Sequence, residues 1–198
     1  MTAPEQTARE LADATVRAAL DAQRLTYERP EPGSYLVRLE GTARLATMTW
    51  LVVNEQSLLV AAFFVRRPEE NTGAVYRFLL SRNARMYGVA FSVDPLGDVY
   101  LSGRLPLTAV SEDEIDRLLG CALTYSDENF NRVLELGFGS SIRKEWRWRQ
   151  ARGESTANLS AFGHFADPCR SERTSTDVPR SNPASTEVAR TSPAADGS

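Results

Sequence analysis

Residues 34–65 read SYLVRLEGTARLATMTWLVVNEQSLLVAAFFV, and their pattern decides the fold class. Three runs, 34–40, 43–53 and 57–65, are rich in β-branched, aromatic and other apolar residues, the composition that fits a pleated, half-buried surface. Side chains alternate along a strand, so in the middle run Leu45, Thr47, Thr49 and Leu51 face one way and Ala46, Met48, Trp50 and Val52 the other. The connections, Gly41-Thr42 and Asn54-Glu55-Gln56, are short enough for hairpins. The expectation is a three-stranded antiparallel meander.

Working outward, residues 5–25 carry Leu11, Val16, Ala19 and Leu20 among Arg, Glu and Asp without Gly or Pro, which predicts a weakly amphipathic helix. Pro30, Pro32 and Gly33 end it. After the charged break at 66–70, Val75, Phe78, Leu79 and Arg82 recur at helical spacing, with Asn71 or Thr72 to cap the start. Val89, Phe91 and Val93 alternate before Asp94-Pro95-Leu96-Gly97-Asp98, and Val99, Leu101 and Leu105 alternate after it, the clearest hairpin in the chain. Ser111 opens the best-specified helix, with Glu114 as capping-box partner and Val110 and Ile115 as a staple. Ile115, Leu118, Leu119, Ala122, Leu123, Phe130, Val133 and Leu134 hold one apolar stripe, and Gly137 and Gly139 supply a stop. Residues 140–152 and 154–165 read as further helical segments, the last packed back on the body. The fold class is α+β: an antiparallel sheet of about five strands in the order α-β-β-β-α-β-β-α, with C-terminal helices.

The domain organisation follows from composition. Residues 1–32 are an N-terminal helix and linker, and 33–166 the α+β domain. Residues 167–198, built of Ser, Thr, Pro, Arg and Ala, cannot bury enough surface to offset their ordering entropy and read as a disordered tail. A chain of 198 residues with 42% apolar content fills one core. The 23 basic residues against 26 acidic give a net charge of -3, which makes nucleic acid a poor partner. The N-terminus has acids from Glu5 onward and no basic start followed by an apolar run. No stretch approaches the roughly 20 apolar residues of a membrane span, so the expected compartment is the cytoplasm.

The residues offer no convincing catalytic set. Cys121, in a predicted helix, reads as a small core residue, and Cys169 lies in the polar tail; neither a disulfide framework nor a metal spacing is present. His164, the one histidine, has no second ligand near it and reads as a surface or packing residue. Gly137-Phe138-Gly139-Ser140-Ser141 lacks the Lys and preceding strand of a phosphate loop. Glu112, Asp113, Glu114 and Asp116 crowd the first turn of a helix, where the macrodipole favours them. The expectation is a protein without catalytic residues, metal or cofactor.

One segment stands out, because residues 143–152, RKEWRWRQAR, place five basic residues around two tryptophans. Such interleaving can grip an acidic partner. It also suits a helix whose Trp packs on the sheet while Arg stems cover the rest. Trp146 and Trp148 cannot share one helical face, so one is expected at the surface. Candidate partner contacts are therefore Trp146, Arg147, Trp148 and Arg149, together with Trp50 and Phe64 on a sheet that carries large apolar residues on both faces.

RRPEENTGAVYRFLLSRNARMYGVAF at 66–91, DPLGDVYLSGRLPL at 94–107 and SEDEIDRLLGCALTYSDENFNRVLELGFGSSIRKEWRWR at 111–149, in this element order, resemble the YbjN-domain family, which shares its architecture with class I type III secretion chaperones. The resemblance covers roughly 33–165 and carries no catalytic signature. It implies a homodimer-prone α+β domain that binds protein or peptide clients as a chaperone, or acts as a regulator, without enzymatic activity or cofactor. The alternative is a regulatory domain that senses a small ligand in a pocket between sheet and helix.

Overall fold

The computed structural model describes residues 7–166. Helix α1, Ala8–Ala22, opens with a complete capping box: Thr7 Oγ1 accepts from the Glu10 amide, and Glu10 returns a bond to the Thr7 amide. Ala12, Val16, Ala19 and Leu20 form its buried stripe, a 3.6-residue period turned onto the sheet. Strands β1 (Tyr27–Glu31), β2 (Ser34–Glu40), β3 (Ala46–Val53) and β4 (Ser57–Val65) then run as an antiparallel meander. Helix α2, Thr72–Asn83, leads into β5 (Ala90–Val93) and β6 (Val99–Pro106), and a short 3-10 turn precedes helix α3, Glu112–Arg152. The described chain ends in a 3-10 stretch, Ala157–Phe165. The sheet is ordered β1-β2-β3-β4-β6-β5, with every pair antiparallel.

The sheet therefore has six strands where five were expected. The extra one, β1, lies in the segment read as linker, where Pro30 and Pro32 argue against a strand. Proline is tolerated there because β1 is an edge strand and can leave one side of its backbone unpaired. Gly33, at φ +83°, makes the tight turn that brings Ser34 opposite Glu31.

From Ala46 onward the alternation matches the reading from sequence; Leu45, read as facing the same way as Thr47, lies before β3 and is 85% exposed. Thr47, Thr49 and Leu51 are buried, whereas Met48 and Trp50 are exposed. The buried face, with Tyr35, Val37, Leu51, Leu58, Val60, Phe64 and Leu101, is covered by α1 and by α3, which contacts β2, β3 and β4. Ser111 caps α3 as expected, accepting from the Glu114 amide at 3.2 Å; the Glu114 carboxylate turns instead to Tyr87 and Arg117. Asn71 does not cap α2 through its side chain; its amide donates to the Leu136 carbonyl.

The expected stop at Gly137 and Gly139 is a kink. Helix α3 continues to Arg152 with one non-helical residue, Phe138, at φ -140°. The 66–70 loop interlocks with it: the Glu69 and Glu70 amides donate to the Gly137 carbonyl, and Glu70 accepts from the Ser140 amide and hydroxyl at 2.6 and 2.7 Å. A carboxylate thus caps the resumed helix where its amides are free. Gly137 permits this close approach: a Cβ there would lie 3.0 Å from Pro68 Cβ, a tight contact. Glycines read as a terminator serve as the contact surface of a bend. The expected tail, 167–198, and Cys169 lie outside the described residues.

Candidate binding site

Two surfaces could receive a partner, and both follow from how β3 and β4 are built. The first is the outer face of the sheet. On β3 and β4 the outward residues are Met48, Trp50, Val52, Leu59, Ala61 and Phe63, and Leu36 of β2 stands opposite Trp50. Met48 and Trp50 are each 38% exposed and Phe63 40%. Phe63 meets Tyr100 of β6 edge-on at 5.5 Å. No described helix is in appreciable contact with this side; α1 and α3 pack on the other. Arg38, Glu40 and Arg104 edge the apolar strip.

The second surface is an open cavity of about 510 Å³ between the end of β4 and the second half of α3. Pairing of β3 with β4 spans Thr49 to Val53, so the start of β3 and the end of β4 have parted. Arg44, from the turn before β3, reaches across and donates to the Phe63 carbonyl at 2.9 Å and to Ser126 Oγ at 3.3 Å. Its guanidinium lies 5.3 Å from the Phe130 ring centroid. Phe64, Phe130, Leu134, Phe138, Ile142 and Leu159 form the apolar walls, and Arg66, Ser141 and Glu145 stand at the rim.

Arg44 is held in place by an acid that it does not pair with. Asp127 of α3 accepts from the Thr42, Ala43 and Arg44 amides at 2.8–2.9 Å and from the Thr42 hydroxyl. Burial pushes the Asp127 carboxyl up, but these hydrogen bonds outweigh it and hold the group below the ordinary carboxylate range. Glu145 is paired with Arg149 at 2.6 Å, and Glu69 with Arg66. Among the described residues no carboxylate lies within ion-pairing distance of the Arg44 guanidinium. Its burial lowers the guanidinium's affinity for its proton, although arginine remains charged.

The candidates taken from sequence separate. Trp50 is on the open sheet face. Phe64 is 1% exposed, tilted against Phe91 and edge-on to Phe130, and presents itself to the cavity as wall. Trp146 is buried, with its indole Nε1 unpartnered. Arg149 is tied to Glu145 and to the Ser155 carbonyl. Arg147 and Trp148 remain exposed, Trp148 under the Arg152 guanidinium at 4.9 Å. His164 packs at a tilt against Phe165, ring centroids 4.3 Å apart, and its Nε2 lies 3.6 Å from Glu135. Sequence reasoning missed Arg44, because it fell inside the run 43–53 read as strand; β3 begins only at Ala46, and Arg44 belongs to the turn before it.

Residues 12–135 match the YbjN family model, described as "Putative bacterial sensory transduction regulator". The chain belongs to the YbjN family. The YbjN match begins inside α1, earlier than the resemblance read from sequence, and ends just before the kink. It takes in Arg44, Phe64, Phe130 and Leu134, while Phe138, Ile142 and Leu159 lie beyond it. Among relatives, "Uncharacterized protein Rv0487" of Mycobacterium tuberculosis is 49% identical over 155 residues, covering 76% of this chain and 85% of that protein. "Uncharacterized protein ML2442" of Mycobacterium leprae is 48% identical over 157 residues, covering 77% and 85%. Among solved structures, the HopA1–SchA chaperone–effector complex aligns with a TM-score of 0.46 and 11% identity over 62% of this chain and 95% of that one. The ExoU–SpcU complex of the Pseudomonas aeruginosa type III secretion system aligns with a TM-score of 0.45 and 18% identity over 62% and 97%. Among the described residues no helix is long and apolar enough to cross a membrane.

Proposed function

We propose that this YbjN-family protein is a non-catalytic, cytoplasmic binding module, chaperone-like or regulatory, whose open sheet face docks a polypeptide. The observation that carries this reading is the strip Met48–Trp50–Phe63, large side chains left about 40% exposed on a face without a covering helix. Trp, Phe, Met and Arg are the residues enriched where proteins meet, and a flat strip with charges of both signs at its edge suits an extended or folded chain. Arg147 and Trp148 are a lesser candidate contact for an acidic segment. A photo-crosslinker placed at position 50 and activated in the native cell tests the docking. The expected result is a polypeptide adduct mapped to residue 50 and lost when Met48 and Phe63 are changed to Ser in a folded protein. An adduct with a second copy of the chain would define the homodimer through this face. Absence of any adduct, or adducts indifferent to those changes, would overturn the reading.

A second reading, a regulatory domain that senses a small ligand, is supported by a separate observation. The cavity of about 510 Å³ falls in the range of roughly 300–1,000 Å³ usual for ligand pockets, and most of its lining is apolar.

A further inference from the structure

We propose that the cavity between β4 and α3 binds a single-chain amphiphile with a carboxylate head, its acyl chain among Phe64, Phe130, Leu134, Phe138 and Ile142 and its head on Arg44. This deepens the small-ligand reading of the cavity, which shares Phe63 with the sheet face but neither Met48 nor Trp50.

Four observations lead there. The walls are aromatic and aliphatic, so the body of the ligand is apolar. The polar groups at the rim are largely spent: Ser141 donates to Glu69, Glu145 holds Arg149, and Arg66 is paired with Glu69. A peptide entering here would bring backbone N–H and C=O groups that find few partners, whereas an acyl chain brings none. What remains is one guanidinium with two bonds made by a single nitrogen, Nη1, to neutral oxygens, and no ion pair. A planar fork of N–H donors matches a carboxylate, and one uncompensated positive charge matches one negative charge. Asp127 fixes the turn that aims it, so the fork is in place before the ligand arrives.

The probes are dodecanoate and 1-dodecanol, kept below any aggregation threshold, titrated calorimetrically into the full chain. Dodecanoate is expected to bind at least tenfold more tightly. Arg44→Gln should bring dodecanoate down to the level of the alcohol and leave the alcohol unchanged, while Leu134→Trp should block both by filling the cavity. Should Arg44→Gln not fold, carboxyl-labelled dodecanoate followed by carbon NMR decides with the unaltered protein: when bound, its carboxyl must stay ionised to lower pH than when free. Equal binding of alcohol and acid, with Leu134→Trp blocking both, overturns the carboxylate assignment and keeps a small-ligand pocket. No saturable binding of either probe, or binding indifferent to Leu134→Trp, overturns both. Tighter binding of an apolar peptide than of dodecanoate, lost in Leu134→Trp, assigns the cavity to a polypeptide and overturns the proposal.

Discussion

At the scale of single residues, buried polar groups distinguish what the core tolerates from what it uses. Thr49 is fully buried and its Oγ1 has no hydrogen-bond partner, whereas its neighbour Thr47 bonds Ser126 at 3.0 Å. Replacing an orphaned hydroxyl by a methyl of the same shape removes a desolvation penalty, so Thr49→Val is expected to raise stability by about 1 kcal/mol in chemical denaturation. The same change at position 47 would instead break a bond. Tyr35 is the opposite case. Its ring is in the core, its hydroxyl donates to Asp13 Oδ1 at 2.6 Å, and Arg29 pairs with Asp13 at 2.7 Å, so three elements meet at one carboxylate. Burial and then the bond to Asp13 push the Tyr35 phenol well above its ordinary value. A raised folded-state pKa gives stability fully present below the unfolded value near 10 and lost as pH rises through the folded one. Tyr35→Phe should abolish that part of the alkaline loss, read from thermal midpoints above pH 10. At Asp127 the sign reverses, because its folded value is depressed. Its contribution is in place above about 3.9 and is lost as pH falls through the folded value, so Asp127→Asn should weaken the fold at neutral pH and flatten this acid-side decline.

At the scale of elements, α3 is the decisive one. Its start is local chemistry: Ser111→Ala removes the bond to the Glu114 amide and should cost about 1 kcal/mol without changing the fold. Its bend is tertiary. Gly137→Ala would drive a methyl against Pro68 and Val75, and an overpacked contact of this kind costs about 1–3 kcal/mol. The second half of α3 should then swing relative to β4, and ligand binding in the cavity should weaken more than the thermal midpoint suggests. Equal cavity binding in the Gly137→Ala protein would show that the bend does not shape the pocket. Within the basic Trp segment Arg149 anchors the helix end to Ser155, so charge reversal there tests folding; Arg147 is the position that tests a partner.

At the scale of the whole molecule, one sheet separates two environments. The inner face is closed by α1 and α3, and Leu119, 3% exposed in that seam, cannot accept a charge. Leu119→Asp is expected to unfold the protein, seen as loss of the cooperative thermal transition. The outer face bears none of that load. Trp50→Ser should leave the midpoint within a few degrees while reducing whatever polypeptide binding the face supports, a dissociation of stability from binding that a core residue would not give.

Most of the framework was legible because it is written in local periodicity. Alternation in β3, the Asp94–Asp98 turn and the Ser111 cap depend on neighbours a few residues away, and the α+β order follows from them. Two kinds of feature were not. A proline-bearing strand is a strand only if it lies at an edge, and two glycines end a helix unless another loop, here Pro68 with Glu69 and Glu70, supplies what the break leaves exposed. Arg44 belongs to the same class. The sequence by itself determined that this chain is α+β. The tertiary structure alone decided which arginine stands unpaired beside an apolar cavity, because its partners, Phe63, Ser126 and Phe130, come from other elements, Ser126 and Phe130 from more than eighty residues away along the chain.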